Sequence, residues 1–350
     1  MNSKEKKIAE FNPSGIGDKE LNIYGLPFTA EESDTILIPV PWEATVSYGG
    51  GTAGGPAAIF EASYQVDLLD SDVNDGWKKG IFMEENSEEI VERNNKARNA
   101  AEEIISALED GKEVACDEHL SRLLEVVNYE CSELKNIVRA KTAAWLDQKK
   151  SVGIVGGDHS TPLGFFETLA ERNESFSILQ IDAHCDLRKA YEGFTYSHAS
   201  IMYNALKIPQ VKKLVQVGIR DYCEEEIAVA KHENGRVEIF FDAKLKREQY
   251  TGITWKQQCE KIISTLTEKV YISFDIDGLD PRYCPNTGTP VPGGLETEQT
   301  FLLFKMLVDE GKKIIGFDLN EVSPSENEWD ANVGARVLYK LCNLARASRG

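Results

Sequence analysis

Residues 176–186 read Phe-Ser-Ile-Leu-Gln-Ile-Asp-Ala-His-Cys-Asp, a nearly continuous apolar run that ends in an Asp-x-His-x-Asp cluster. A run of this length without alternation fits a strand buried on both faces, the environment of a parallel sheet covered by helices. Similar runs recur at 152–157 (VGIVGG), 213–220 (KLVQVGIR), 237–241 (VEIFF), 269–275 (KVYISFD) and 313–319 (KIIGFDL), with an earlier one at 35–40 (TILIPV). Segments with helical spacing separate several of them, such as 255–266, where Trp255, Cys259, Ile262, Ile263 and Leu266 share a face. Residues 94–149 read as two long helices interrupted around Gly111, and Pro56 opens a helix to about Tyr64 behind a glycine-rich loop at 49–55. The expected fold is α/β: a single three-layer α/β/α domain with a mainly parallel sheet over 35–350, preceded by an irregular N-terminal extension, 1–34.

The composition narrows the functional classes. The chain has 350 residues, 41% of them hydrophobic, with mean hydropathy −0.35, which fits a globular chain with a sizeable core. No apolar stretch approaches the roughly 18–20 residues of a spanning helix. The charged start MNSKEKK does not resemble a secretory signal, so a cytoplasmic location is expected. A formal charge of −19 disfavours nucleic acid and anionic membranes as partners and suits a small cationic substrate. Seven dispersed cysteines with no C-x-x-C pair argue against a disulfide framework or a thiolate metal site.

Three of the five histidines, His159, His184 and His198, lie within 40 residues. His159 follows a strand run through Gly156-Gly157-Asp158, which places it at a carboxyl strand edge, where open α/β sheets bind ligands. In extended backbone, residues two apart point the same way, so Asp182, His184 and Asp186 can converge. Asp275 and Asp277 repeat that geometry at the end of another run. Four carboxylates packed together repel strongly unless cations neutralise them. Two divalent ions would do so, and oxygen-rich ligation with a minority of imidazole suits manganese, with nickel an alternative.

These residues resemble the ureohydrolase superfamily, which includes arginases and agmatinases. The matching segments are Gly-Gly-Asp-His-Ser at 156–160, Asp-Ala-His-Cys-Asp at 182–186, Ser-Phe-Asp-Ile-Asp-Gly-Leu-Asp-Pro at 273–281, Gly-Thr-Pro at 288–290, Gly-Gly-Leu at 293–295 and Glu-Val-Ser-Pro at 321–324. The resemblance implies an arginase-like fold and a binuclear manganese hydrolase that cleaves a guanidino group and releases urea. By motif position one ion is held by His159, Asp182, Asp186 and Asp275, and the other by Asp182, His184, Asp275 and Asp277. It further implies that Asp186 orients the attacking hydroxide, that His198 moves the proton to the departing amine, and that Glu321 pairs with the guanidinium. Assembly into trimers or hexamers is a further implication. His119 and His232, in charged helical contexts, read as surface residues.

The substrate is less legible. Arginases resemble one another in an Asn at the position of Arg188, so arginase itself is disfavoured, and 186–199 looks closer to the agmatinase branch: agmatine and water to putrescine and urea. Arg188 either pairs with Glu192, four residues on, or recognises a substrate carboxylate, as a guanidino acid or formiminoglutamate would require. Trp42 or Tyr48 over the pocket mouth would favour free guanidine, hydrolysed to urea and ammonia with nickel as the metal. A metal-binding regulatory relative without activity is the non-enzymatic alternative.

Overall fold

The structure, a computed structural model, describes residues 3–350. Its sheet has eight strands: β1 (Thr35–Val40), β2 (Ile81–Met83), β3 (Ser151–Gly156), β4 (Phe176–Ile181), β5 (Val211–Ile219), β6 (Val237–Phe241), β7 (Lys269–Asp275) and β8 (Lys313–Asn320). Their order is β2-β1-β3-β8-β7-β4-β5-β6, and every neighbouring pair is parallel. The seven apolar runs read from sequence are all strands. The eighth, β2, pairs with β1 over three residues, too short a segment for any period to register.

Alternation along the strands divides the core into two layers. Leu37, Val155, Leu179, Ile181, Ile272 and Phe317 pack with the helices Gly55–Ser63, Trp255–Ser264, Thr297–Asp309 and Trp329–Ala347. Ile38, Val40, Ile154, Ile178, Leu214 and Tyr271 pack on the other face with Glu88–Glu109, Glu118–Asp147 and Leu163–Arg172. Tyr271 anchors this second layer edge-on to Phe165 and Phe166, with ring centroids 5.3 and 4.9 Å away. The two long helices are separated as expected around Gly111, whose φ of +76° suits a residue without Cβ.

The N-terminal segment is more ordered than an irregular extension. Ser3–Glu10 is helical, and Ile23, Tyr24, Leu26 and Phe28 are buried in the core. The Tyr24 hydroxyl donates to the Ala335 carbonyl (3.0 Å), and its ring lies 5.0 Å from that of Tyr339. The four apolar residues of NIYGLPF (22–28) supply enough burial to hold the segment against the last helix. Among the described residues no helix is long and apolar enough to cross a membrane.

Candidate metal centre

The central strands β3, β8, β7 and β4 are consecutive in the sheet, so the segments leaving their carboxyl ends share one crevice. Two glycines make the first segment possible. A Cβ on Gly157 would lie 1.9 Å from the Trp42 carbonyl, and one on Gly156 would lie 1.8 Å from Asn320 Oδ1. Only bare backbone lets the chain pass between them and present His159.

His159 Nδ1 lies 3.0 Å from Asp182 Oδ2, 3.0 Å from Asp186 Oδ2 and 3.3 Å from Asp275 Oδ2. His184 Nδ1 lies 3.0 Å from Asp277 Oδ2 and 3.5 Å from Asp182 Oδ1. Two groups of donors result, His159–Asp182–Asp186 and Asp182–His184–Asp277, each with its atoms within 4.8 Å of one another and sharing Asp182. His159 Nδ1 and Asp277 Oδ2 are buried and make no hydrogen bond. Such atoms are costly to bury unless something binds them, and the oxygen-rich donor set suits a pair of divalent ions.

The electrostatics agree with that fit. Burial, followed by the Asp182 charge, pushes Asp186 up to about 7. Burial, then Asp277 and Asp182, raises Asp275 well above the carboxylate range. For Asp182 burial acts upward, but the imidazoles of His159 and His184 outweigh it and the carboxyl moves down. Burial opposes protonation of both imidazoles, yet the surrounding carboxylates dominate and raise them. Without cations, the cluster must therefore hold extra protons.

Polar residues within the strands orient the donors. The Ser273 hydroxyl donates to Asp318 (3.0 and 3.1 Å) and lies 2.9 Å from His159 Nε2. Its proton is directed to Asp318, so its oxygen accepts from Nε2–H and leaves the Nδ1 lone pair facing the carboxylates. Gln180 Nε2 donates to Asp182 (2.6 Å), and Gln216 Nε2 donates to Gln180 Oε1 (2.6 Å). Arg220 donates to the carbonyls of Asp277 (2.7 Å), Leu279 (3.0 Å) and Val291 (2.9 Å), tying down the segment after β7. None of these supporting residues was singled out from sequence, although Gln180, Gln216, Ser273 and Asp318 all interrupt otherwise apolar strands.

Glu321 follows β8 with φ +63°, and Asp186 has φ +53°. Left-handed backbone at a non-glycine residue costs about 1–3 kcal/mol and tends to occur at functional sites. Glu321 is anchored by its N–H to the Gly157 carbonyl (2.8 Å), while its Oε1 accepts from the His159 N–H (2.8 Å). Burial, then the Asp158 charge, raises its carboxyl well above the usual range.

Glu321, both ligand imidazoles, Asp186, Asp275 and Asp277 line a pocket of about 390 Å³, with Asp182 buried behind them. His198 lines the same pocket, with Nδ1 3.4 Å from the hydroxyls of Thr45 and Ser197 and its ring edge-on to Tyr191. Desolvation, then the charges of His184 and His159, pushes it down to about 4. All eight residues read from sequence are thus brought together. Arg188 also lines the pocket, but the expected pair with Glu192 does not form: the guanidinium stacks on Tyr191 at 5.0 Å. Glu192 is half-buried and hydrogen-bonds Ser47 instead. Trp42 is fully buried outside the pocket, whereas Tyr48 stands 85% exposed at its rim. His119 and His232 are exposed, as their context suggested.

Comparison with known proteins matches this chain to a family model described as the arginase family over residues 33–343. An N(1)-aminopropylagmatine ureohydrolase from Synechocystis sp. is 27% identical over 314 residues, covering 89% of this chain and 88% of that protein. A guanidinobutyrase from Pseudomonas aeruginosa is 30% identical over 202 residues, covering 54% of this chain and 59% of the relative. The crystal structure of the agmatine ureohydrolase of Thermoplasma volcanium superposes with a TM-score of 0.69 at 22% identity, covering 98% of both chains. The chain belongs to the arginase family, and is accordingly a ureohydrolase, a hydrolase of carbon–nitrogen bonds in linear amidines.

Proposed function

We propose that this enzyme releases urea from an alkylguanidine of the agmatine type, with two manganese ions at the Asp/His cluster. The observation that carries the reading is a set of four aspartates and two histidines, all buried but His184, clustered with Glu321 at one pocket. His159, Asp182, Asp186 and Asp275 would hold one ion, and Asp182, His184, Asp275 and Asp277 the other. When bound, such a pair supplies Lewis acidity and makes water nucleophilic near neutral pH.

The chain's own residues do the rest. The Glu321 carboxylate, fixed on one oxygen by the His159 N–H, pairs with the guanidinium and holds its carbon over the cluster. The guanidinium supplies the cation that this buried carboxyl otherwise lacks. Asp186 accepts a hydrogen bond from the attacking water and orients it. As the carbon–nitrogen bond breaks, the leaving amine takes a proton relayed by His198, which is neutral at physiological pH and can pass on a proton from solvent.

An extended substrate is favoured over free guanidine because the pocket is roomy and neither candidate aromatic closes it. The relatives named for agmatine and aminopropylagmatine support an alkyl tail. The test is urea release by protein loaded in parallel with manganese or nickel, given agmatine, N-aminopropylagmatine or guanidinium. Turnover of the alkylguanidines is expected; turnover of guanidinium alone would overturn the reading.

A further inference from the structure

The pocket that faces the cluster contains one cationic side chain of fixed charge. Among the described residues, Arg188 forms no ion pair and its guanidinium makes no hydrogen bond; its contact is the Tyr191 ring at 5.0 Å. Two other half-buried arginines are engaged differently: Arg220 donates to backbone carbonyls, and Arg236 to carbonyls and Glu233. Stacking on an aromatic ring fixes the plane of a guanidinium while leaving its N–H edge free. Arg188 lines the substrate cavity, half-buried, two residues beyond Asp186.

A free cation here works against a diamine. The far ammonium of agmatine would approach a like charge in a partly desolvated pocket, an arrangement that lowers affinity. The same edge offers two parallel donors matched to a carboxylate. The backbone also supports the placement: the Arg188 N–H donates to the Ala199 carbonyl (3.0 Å), which ties the segment after Asp186 to the one carrying His198. The arginine is therefore tied by its backbone to the residue that follows His198.

We infer that Arg188 is a specificity residue that binds a carboxylate on the tail of the substrate, so that the preferred substrate is an alkylguanidine bearing an acid group at its far end. The inference rests on the alkylguanidine reading above, in which agmatine is turned over, and ranks a tail ending in an acid group above agmatine's ammonium. Glu321 takes the cationic end, the cluster holds the carbon under attack, and Arg188 takes the anionic end.

The test uses the manganese-loaded full chain with agmatine and with guanidino acids of three, four and five methylenes, steady-state kinetics being measured for each. For the best-fitting acid, KM should lie below that of agmatine. Arg188→Gln should raise the KM for the acid about 10- to 100-fold and lower it for agmatine, reversing the preference, and Arg188→Lys should restore part of the preference for the acid. Urea release from agmatine with KM values for the acids that Arg188→Gln does not move would overturn this inference and leave the alkylguanidine reading standing. Equal losses on agmatine and acid would also overturn it, because they would make Arg188 a structural residue. Urea from none of these compounds would overturn the alkylguanidine reading itself, and this inference with it.

Discussion

His159 and His184 bring the same imidazole to the same cluster from opposite environments. The His159 side chain is 1% exposed and is oriented by Ser273 and Asp318. The His184 side chain is 23% exposed, and its outer nitrogen faces Asp221, 4.0 Å away and itself 69% exposed. One wall of the pocket, at His159, is thus closed and prearranged, continuous with the core; the part-exposed lining residues, His184, His198 and Arg188, make up its more open wall. The difference suggests a division of work: the closed wall holds one ion and the guanidinium, while the open wall holds the other ion and governs proton traffic and the choice of substrate.

The largest expected effect comes from the residue both walls share. Asp182→Ala removes an oxygen from each donor group, so bound metal should fall well below two ions per chain and urea release should drop by about 1,000-fold or more. Asp277→Ala, confined to the open-side group, should abolish most turnover while retaining metal at the closed side. Elemental analysis alongside urea assays measures both, and wild-type activity in either variant would sink the binuclear reading.

His198→Asn tests the open wall without touching the cluster. A general acid–base residue contributes about 10²–10⁴ in rate, so kcat should fall on that scale with KM little changed and metal content intact. Loss of metal from this variant would erase the distinction between the two walls.

A smaller effect probes the closed wall from behind. Ser273→Ala or Asp318→Asn frees the His159 tautomer, which should cost about 10- to 100-fold in metal affinity. Asp221→Asn, on the exposed side of His184, should cost less than either. Competition with a chelator gives the comparison, and equal effects from Asp318 and Asp221 would mean that the two imidazoles are held alike.

How far the sequence was legible follows the same line. Apolar runs and strand-end motifs give the sheet and all eight site residues, because strand burial and metal ligation each leave a local pattern: continuous apolar residues and acid/histidine pairs at period two. The supporting residues leave no such pattern. Gln180 and Ser273 matter through partners 36 and 45 residues away, Gln216 and Asp318, so their role depends on which strands adjoin. Arg188 illustrates the same limit: i,i+4 spacing suggested Glu192 as a partner, but that rule holds on a helix, and this segment is irregular, with Glu192 at φ +54°. The packing residues of the N-terminal segment, Ile23 to Phe28, lie in a stretch without period and find partners far along the chain: Phe28 stacks on Trp77, and Tyr24 meets Ala335 and Tyr339 more than 300 residues later.

The smallest expected effect is on stability, and its sign follows from the protonation of the cluster. Asp186 moves from its ordinary 3.8 to about 7, and Asp275 and Glu321 also move up. A carboxyl raised in the folded state favours folding where it is protonated, so the metal-free protein loses stability as pH rises from about 4 through 7. The raised imidazoles of His159 and His184 act in the same direction, since their contribution is full below about 6.5 and is lost as pH passes their folded values. Asp182, shifted down, titrates below about 4 and is silent in this range. Divalent ions replace these protons and bind the deprotonated ligands. The stabilisation conferred by manganese should therefore be larger at pH 8 than at pH 6, a difference on the order of a few degrees in thermal midpoint, read by unfolding scans with manganese or with chelator. A shift that shrinks with rising pH would mean that the buried cluster is not where the metal acts, and Asp318→Asn should flatten the dependence more than Asp221→Asn if the closed wall holds the ion more tightly.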